Sequence, residues 1–293
     1  MKRNALVVAL AVLAALAVWT LFIAAGAGLP HVDDLVSRVP RRTALMRARE
    51  AQARRDGHAY RVDQRWIPYE RISPLLRRAV LIAEDDAFFS HGGLDWDEMG
   101  AAARQNLKRG KIVRGGSTIT QQLAKNLYLG EERTLLRKVR EILLAVRLER
   151  SLSKRRIFEL YLNLIEWGDG VWGIEAAARR HFGVPATDLD ARQAALLAAV
   201  IINPRVYSPT SPGRRIQRRM RLILGRMYRR GILGEAEYRA ALGEAPRPEG
   251  PLEWLFGAPS DTARAPADVS PTPPSEPDSG TGMPADGDTL PPR

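Results

Sequence analysis

The sequence predicts a mainly α-helical protein with one apolar helix at its N-terminus, and three observations carry that prediction. Apolar residues recur at helical spacing almost without a break from Ser73 to about Leu242. No run alternates with period two and β-branched enrichment, so a sheet is not expected to dominate. An uncharged apolar run of 25 residues, 5–29, follows Lys2 and Arg3.

At 1.5 Å per residue that run exceeds a hydrocarbon core of about 30 Å. A secretory signal core is usually about 7–15 residues, so a retained single-pass anchor over 1–29 is the reading, although Ala25-Gly26-Ala27 resembles a cleavage site. Charge does not settle orientation, because Lys2 and Arg3 precede the run while Arg38, Arg41 and Arg42 follow it. The 293 residues carry a net +12 and no cysteine, which excludes disulfides and thiolate chemistry. Seven acids against two arginines over 253–293 leave about +17 on the rest. Beside a membrane anchor, that charge points to anionic lipid or a phosphate-bearing substrate, and with no nucleic-acid motif not to nucleic acid.

Residues 30–65 read as a basic connector, helical over 43–55. Trp66-Ile67-Pro68-Tyr69 looks like a packed entry to a helix that begins at Ser73-Pro74, an N-cap and N1 pair, and ends at Glu84. Further helices are expected over 99–107, 135–148, 157–164, 174–178, 192–202 and 215–228. Beyond Gly243 the character changes. Twelve of the 20 prolines fall there, so 244–293 is expected to be a disordered tail. The domain itself is expected to span 66–243.

Three stretches carry chemistry. In residues 84–93, Glu84, Asp85 and Asp86 close a helix and are followed by two phenylalanines, His91 and Gly92-Gly93. Three acids at a helix C-terminus oppose the macrodipole and repel one another, a broken local rule of the kind found at working sites. The plainer reading is an acidic turn with Phe88 and Phe89 in the core. In residues 114–126, Gly115-Gly116 permits close backbone approach, and Ser117 or Thr118 can cap a helix whose N-terminus seats an anion. Gln121 and Lys125 share one face there, and Gln122 and Asn126 the next. In residues 133–149, Arg137 and Lys138 lie four and three positions before Glu141, which alone would be ordinary surface ion pairing.

Together these stretches resemble the family-51 peptidoglycan glycosyltransferases. Residues 84–93 resemble the first motif, Glu-Asp-x-x-Phe-x-x-His-x-Gly, and 115–126 the second, Gly-Gly-Ser-Thr-Ile-Thr-Gln-Gln-Leu-x-Lys-Asn. Arg137-Lys138-x-x-Glu141 is similar to the third, 157–163 with 168–177 to the fourth, and 194–209 to the fifth. Gln193 stands where an acid is common, and His181-Phe182 where Tyr-Phe is common. The likeness covers about 66–228.

The resemblance implies a lysozyme-like domain that joins lipid II into β-1,4 glycan strands, with inversion and release of undecaprenyl diphosphate. It implies Glu84 as general base and Glu141 as second essential carboxylate. Lys125 and Arg137 are implied at the diphosphate, with Asp85, Phe88, His91, Ser117, Thr118, Gln121, Gln122, Asn126 and Lys138 as further substrate-site residues. Glu141 would either share a Mg²⁺-like ion with the diphosphate or hold Arg137 and Lys138; no dedicated metal cage is expected. Residues 94–114 are expected to form a mobile membrane-facing lobe. Implied partners are the lipid-linked glycan, the bacterial inner membrane with the domain periplasmic, and cell-wall synthesis and division proteins. A monofunctional member is expected, since a Pro-rich tail and no Ser-x-x-Lys motif follow the fifth motif. The rival classes are a lysozyme-like hydrolase, which needs no diphosphate seat, and a non-catalytic cell-wall scaffold.

Overall fold

Eleven α-helices and three short strands are present among the residues described by the computed structural model, 2–111, 115–130 and 134–244. The expected tail beyond Glu244 lies outside them. The first helix, α1, is Lys2–Gly26. Among the described residues no helix is long and apolar enough to cross a membrane. After a 3₁₀ turn at Asp33–Val36 comes α2 (Ala44–Arg55). Thr43 caps it, its Oγ1 accepting from Met46 N at 3.1 Å.

The segment read as a connector is stitched into the helical body. Asp63–Gln64 forms β1, parallel to β3 (Val171–Trp172), which pairs antiparallel with β2 (Glu166–Gly168). The spatial order is β1-β3-β2. Met46 and Leu45 bury against Trp172, and Arg49 reaches Glu166 Oε2 at 3.3 Å. Asn163 is the central tie: its side-chain oxygen accepts from Ile67 N at 2.9 Å, and its amide donates to the Ile67 and Glu159 carbonyls. Gly173 makes this possible. Its φ is +79°, and a Cβ there would stand 2.6 Å from the Asn163 carbonyl oxygen.

The helix α3 (Pro74–Glu84) has the expected bounds, but Ser73 does not cap it. Its hydroxyl instead donates to the Leu189 carbonyl at 3.0 Å, because Ser73 is buried beside that residue. Then come α4 (Trp96–Arg109), α5 (Ile119–Ala124), a π turn at Lys125–Leu129, α6 (Leu135–Ser151) and α7 (Lys154–Leu164). The last four are α8 (Ile174–Phe182), α9 (Ala191–Val200), α10 (Arg214–Arg229) and α11 (Glu235–Leu242).

The middle of the core is α9, whose Ala and Leu side chains are buried around most of its circumference, so α3, α10 and α11 can pack on it closely. Truncating a fully buried residue such as Leu197 to Ala would cost about 2–5 kcal/mol. On the other side α5 packs on α6 and α7. The C-terminal end of α3 and the N-terminal end of α5 meet at one cleft.

Candidate active site

Glu84 is the last residue of α3, and Asp85 leaves the helix with φ −165° and ψ 83°. Three acids at that end are tolerated because each has a partner, and two arginines from α10 supply the charge the helix end lacks. Arg219 donates to the Ala83 carbonyl at 3.2 Å and Arg226 to the Ile82 carbonyl at 3.3 Å, satisfying carbonyls of the last turn. Arg219 also donates to Glu84 Oε1 at 2.8 Å, and Gln122 Nε2 donates to Glu84 Oε2 at 3.0 Å. Tyr161 holds Gln122 in turn, its hydroxyl donating to Oε1 at 2.9 Å. Burial pushes the Glu84 carboxyl above the ordinary carboxylate range, against the pull of Gln122 and Arg219. The same burial raises Tyr161, with Glu84 adding to it, so the phenol stays a donor.

Asp85 turns the other way. Its Oδ2 accepts from Ile119 N at 2.9 Å at the start of α5, and His91 Nε2 lies 2.9 Å from Oδ1. Gly93 N donates to His91 Nδ1 at 3.1 Å, which assigns the proton to Nε2 and makes Asp85 its acceptor. Asp86 is bound by the Arg230 guanidinium. Phe88 is fully buried against Phe158, whereas Phe89 is 52% exposed, so only one of the two rings reaches the core as the plainer reading had it.

The Gly115–Thr118 turn faces Glu84. A Cβ on Gly116 would stand 3.1 Å from Met99 Cα, so glycine lets the turn lie against α4, while Gly115 borders open space. Thr118 caps α5 through Gln121 N at 3.2 Å and donates to the Gly93 carbonyl at 2.6 Å. Gln121 closes the capping box and is wholly buried, its Nε2 without a partner among the described residues. It therefore belongs to the frame, one helical turn before Lys125, whose N–H donates to the Gln121 carbonyl. Lys125 opens the π turn and Asn126 is buried in it.

Glu141, 3% exposed, has both oxygens taken: Arg137 reaches Oε2 at 2.7 Å and Lys138 reaches Oε1 at 2.5 Å. Lys138 also donates to Ser117 Oγ at 3.1 Å, so this triad ties α6 to the turn. Of the two roles implied for Glu141, holding the cations fits this geometry. A divalent ion finds no open carboxylate oxygen there. Asp85, His91 and Asp95 bring ligand atoms within 4.8 Å of one another, but Asp85 and His91 already satisfy each other. Neither group fits a resident metal.

A cavity of about 580 Å³ lies between these elements, with Glu84, Asp85, Ser117 and Thr118 on its wall opposite Arg226 and Arg229. Phe88, His91 and Gln121 are not part of its lining. Lys125, Asn126, Arg137 and Glu141 do not line this cavity; Gln122 and Lys138 connect their elements to it. Arg219 and Arg226 are not singled out by the sequence, where their only signal is an amphipathic periodicity shared with many helices; Tyr161 lies in the stretch 157–163 that resembles the fourth motif, but with no role assigned to it.

Residues 51–228 match the transglycosylase family. The chain belongs to it. Proteins named biosynthetic peptidoglycan transglycosylase are among its relatives. That of Nitrosomonas eutropha is 48% identical over 188 residues, 64% of this chain and 77% of the relative. That of Methylobacillus flagellatus is 48% identical over 197 residues, 67% and 86% of the two chains. That of Laribacter hongkongensis is 48% identical over 188 residues, 64% and 82%. The match begins within α2 and ends within α10, so it takes in part of the segment read as a connector and the helix that supplies Arg219.

Proposed function

We propose that this transglycosylase polymerises peptidoglycan glycan strands from lipid II, with Glu84 as the general base. The observation that carries the reading is the Glu84 carboxylate itself, on a cleft wall, held at both oxygens by Gln122 and Arg219, with a pKa raised by burial. An alcohol is a weak nucleophile, and a carboxylate basic enough to take its proton in the transition state contributes about 10²–10⁴-fold. The acceptor sugar's 4-hydroxyl oxygen bonds to the donor's anomeric carbon as its proton passes to Glu84. The anomeric C–O bond to the lipid diphosphate breaks on the opposite face, so the centre inverts. Lys125 and Arg137 are assigned to the leaving diphosphate, where cations stabilise charge that grows towards the transition state. Ser117, Asn126 and Lys138 are assigned as its hydrogen-bonding neighbours. No step is routed through a metal.

We assign the uncharged apolar run 5–29 as a single-pass inner-membrane anchor, with the domain periplasmic; the support is the sequence, in which Lys2 and Arg3 precede 25 residues without a charge. A lipid-linked substrate leaves the bilayer at a cost of about 0.8 kcal/mol per methylene, so a polymerase working on it gains from being held there. A lysozyme-like arrangement of 66–243, with the basic segment 30–65 as its packed lead-in, and a tail over 244–293 complete the assignment.

The test is polymerisation of purified lipid II in detergent by the wild type beside Glu84→Gln, read as glycan ladders on a gel. Ladders from the wild type and none from a folded variant are expected. Ladders from both would remove Glu84 as base, and shortened fragments from finished glycan would make the protein a hydrolase.

A further inference from the structure

We propose that the groove along the outer side of α3 is a subsite for the glycan strand, holding the carboxylates of its stem peptides away from the reacting ends. The proposal rests on the reading that the substrate is peptidoglycan. Two open cavities, of about 350 and 560 Å³, lie end to end along this helix and share Arg78, Leu81 and Phe89. The nearer one shares Ile82, Asp86 and Arg230 with the cleft that holds Glu84, so only the Asp86–Arg230 pair stands between groove and cleft. The groove thus follows one helical stripe, from Pro74 past Arg78 to Ile82. Along the 11 residues of α3 that is about 16 Å. A polymer of sugars needs such a path, because each product remains attached to what was made before.

The lining matches that occupant. Its floor is apolar, at Leu81 and Ile82, both under 9% exposed. Phe89 presents a ring that is 52% exposed yet fixed in orientation by edge contacts with Phe88 and Phe158, at 5.0 and 6.5 Å between centroids. An oriented, exposed aromatic face suits the apolar face of a sugar ring. At the far end the Arg77 guanidinium stacks on Tyr69, 4.3 Å from its centroid. The acids of the neighbourhood are already taken, Asp86 by Arg230, Glu70 by Arg155 and Glu159 by Arg156. Among the described residues no carboxylate pairs with Arg77 or Arg78, so the groove carries uncompensated positive charge. Stem peptides carry free carboxylates, and guanidinium groups bind these in pairs of parallel hydrogen bonds.

Binding of soluble, fluorescently labelled glycan fragments to the full-length protein in detergent tests this, using fragments with stem peptides and the same fragments stripped of them. The wild type is expected to hold the peptide-bearing fragment about tenfold more tightly, the size of one charge-assisted contact. Arg78→Glu is expected to erase that difference, and Arg78→Gln to reduce it. Arg78 is exposed and its charge is not used by the fold, so both variants should melt with the wild type, which shows that a lost preference is not a lost fold. Equal preference for the peptide-bearing fragment in wild type and Arg78→Glu would overturn the groove. Failure of the underlying reading shows separately, as absence of polymer from the wild type.

Discussion

Glu84, part-buried on the cleft wall, and Glu141, buried, are carboxylates within reach of the same glycine turn, and the protein treats them oppositely. Glu141 is neutralised by its own helix, with Arg137 and Lys138 one turn before it. Glu84 receives one cation and one amide, both from other helices, and its burial outweighs them. An acid clamped by two cations positions those cations. An acid whose ionised form is kept uncomfortable is able to accept a proton. The difference lies in the partners, since the residue type is the same.

The sharpest way to break the comparison is Glu84→Gln, which should cost about 10²–10⁴-fold in polymerisation rate. The same variant should melt higher than the wild type at neutral pH. A raised folded pKa means that ionisation is disfavoured in the fold, so stability falls as pH rises from the unfolded value through the folded one. An unchanged or lower melting temperature would contradict that environment. Next comes Glu141→Ala, expected to slow turnover about 10²-fold by freeing Arg137 and Lys138 from their pose. Unfolding free energy should fall by about 2 kcal/mol, less than for a fully buried pair because Lys138 is partly exposed. Full activity would reduce the triad to surface pairing.

Arg219→Met sharpens the contrast without touching either acid. Arg219 lowers the Glu84 pKa, so its loss should raise it further and move the acid limb of the kcat profile to higher pH. Activity lost at neutral pH should return on the alkaline side; a loss independent of pH would make Arg219 only a brace for α3. The smallest effect on activity is expected from Glu166→Gln, far from the cleft. Burial raises Glu166 to about 7 despite Arg49 and Arg205, and its Oε1 is unpartnered among the described residues. Between about pH 4.5 and 7 the wild type should lose about 3 kcal/mol of stability that the variant keeps. Equal pH dependence of melting in the two would refute this, and polymerisation should be unaffected.

The clamp at Glu141 is legible in the sequence because its partners lie three and four positions away on one helix. Most helices are legible for the same reason, their apolar stripes being local. Arg219 is not, since 135 residues separate it from Glu84 and α10 reads as any amphipathic arginine-rich helix. Nor is the role of residues 30–65: a two-residue strand has no period, and the tie through Asn163 is made by one amide. Gln121 stands one helical turn before Lys125, as the spacing predicts, but its side chain turns back to close the capping box, a role that the shared face alone does not reveal.

The chain departs from a regular helix in the π turn at Lys125–Leu129. Such a turn holds one residue more than the hydrogen-bonding pattern of an α-helix accommodates, and it survives mainly where a function needs it. Lys125 still stands in helical geometry on the turn that carries Gln122, its N–H donating to the Gln121 carbonyl, and the departure begins beyond it. A chain shortened by one residue in this turn would regain α-helical register and make a more regular helix. By the same step it would rotate the downstream residues by about 100° about the axis, so the register of the chain beyond Lys125 tolerates substitution better than deletion.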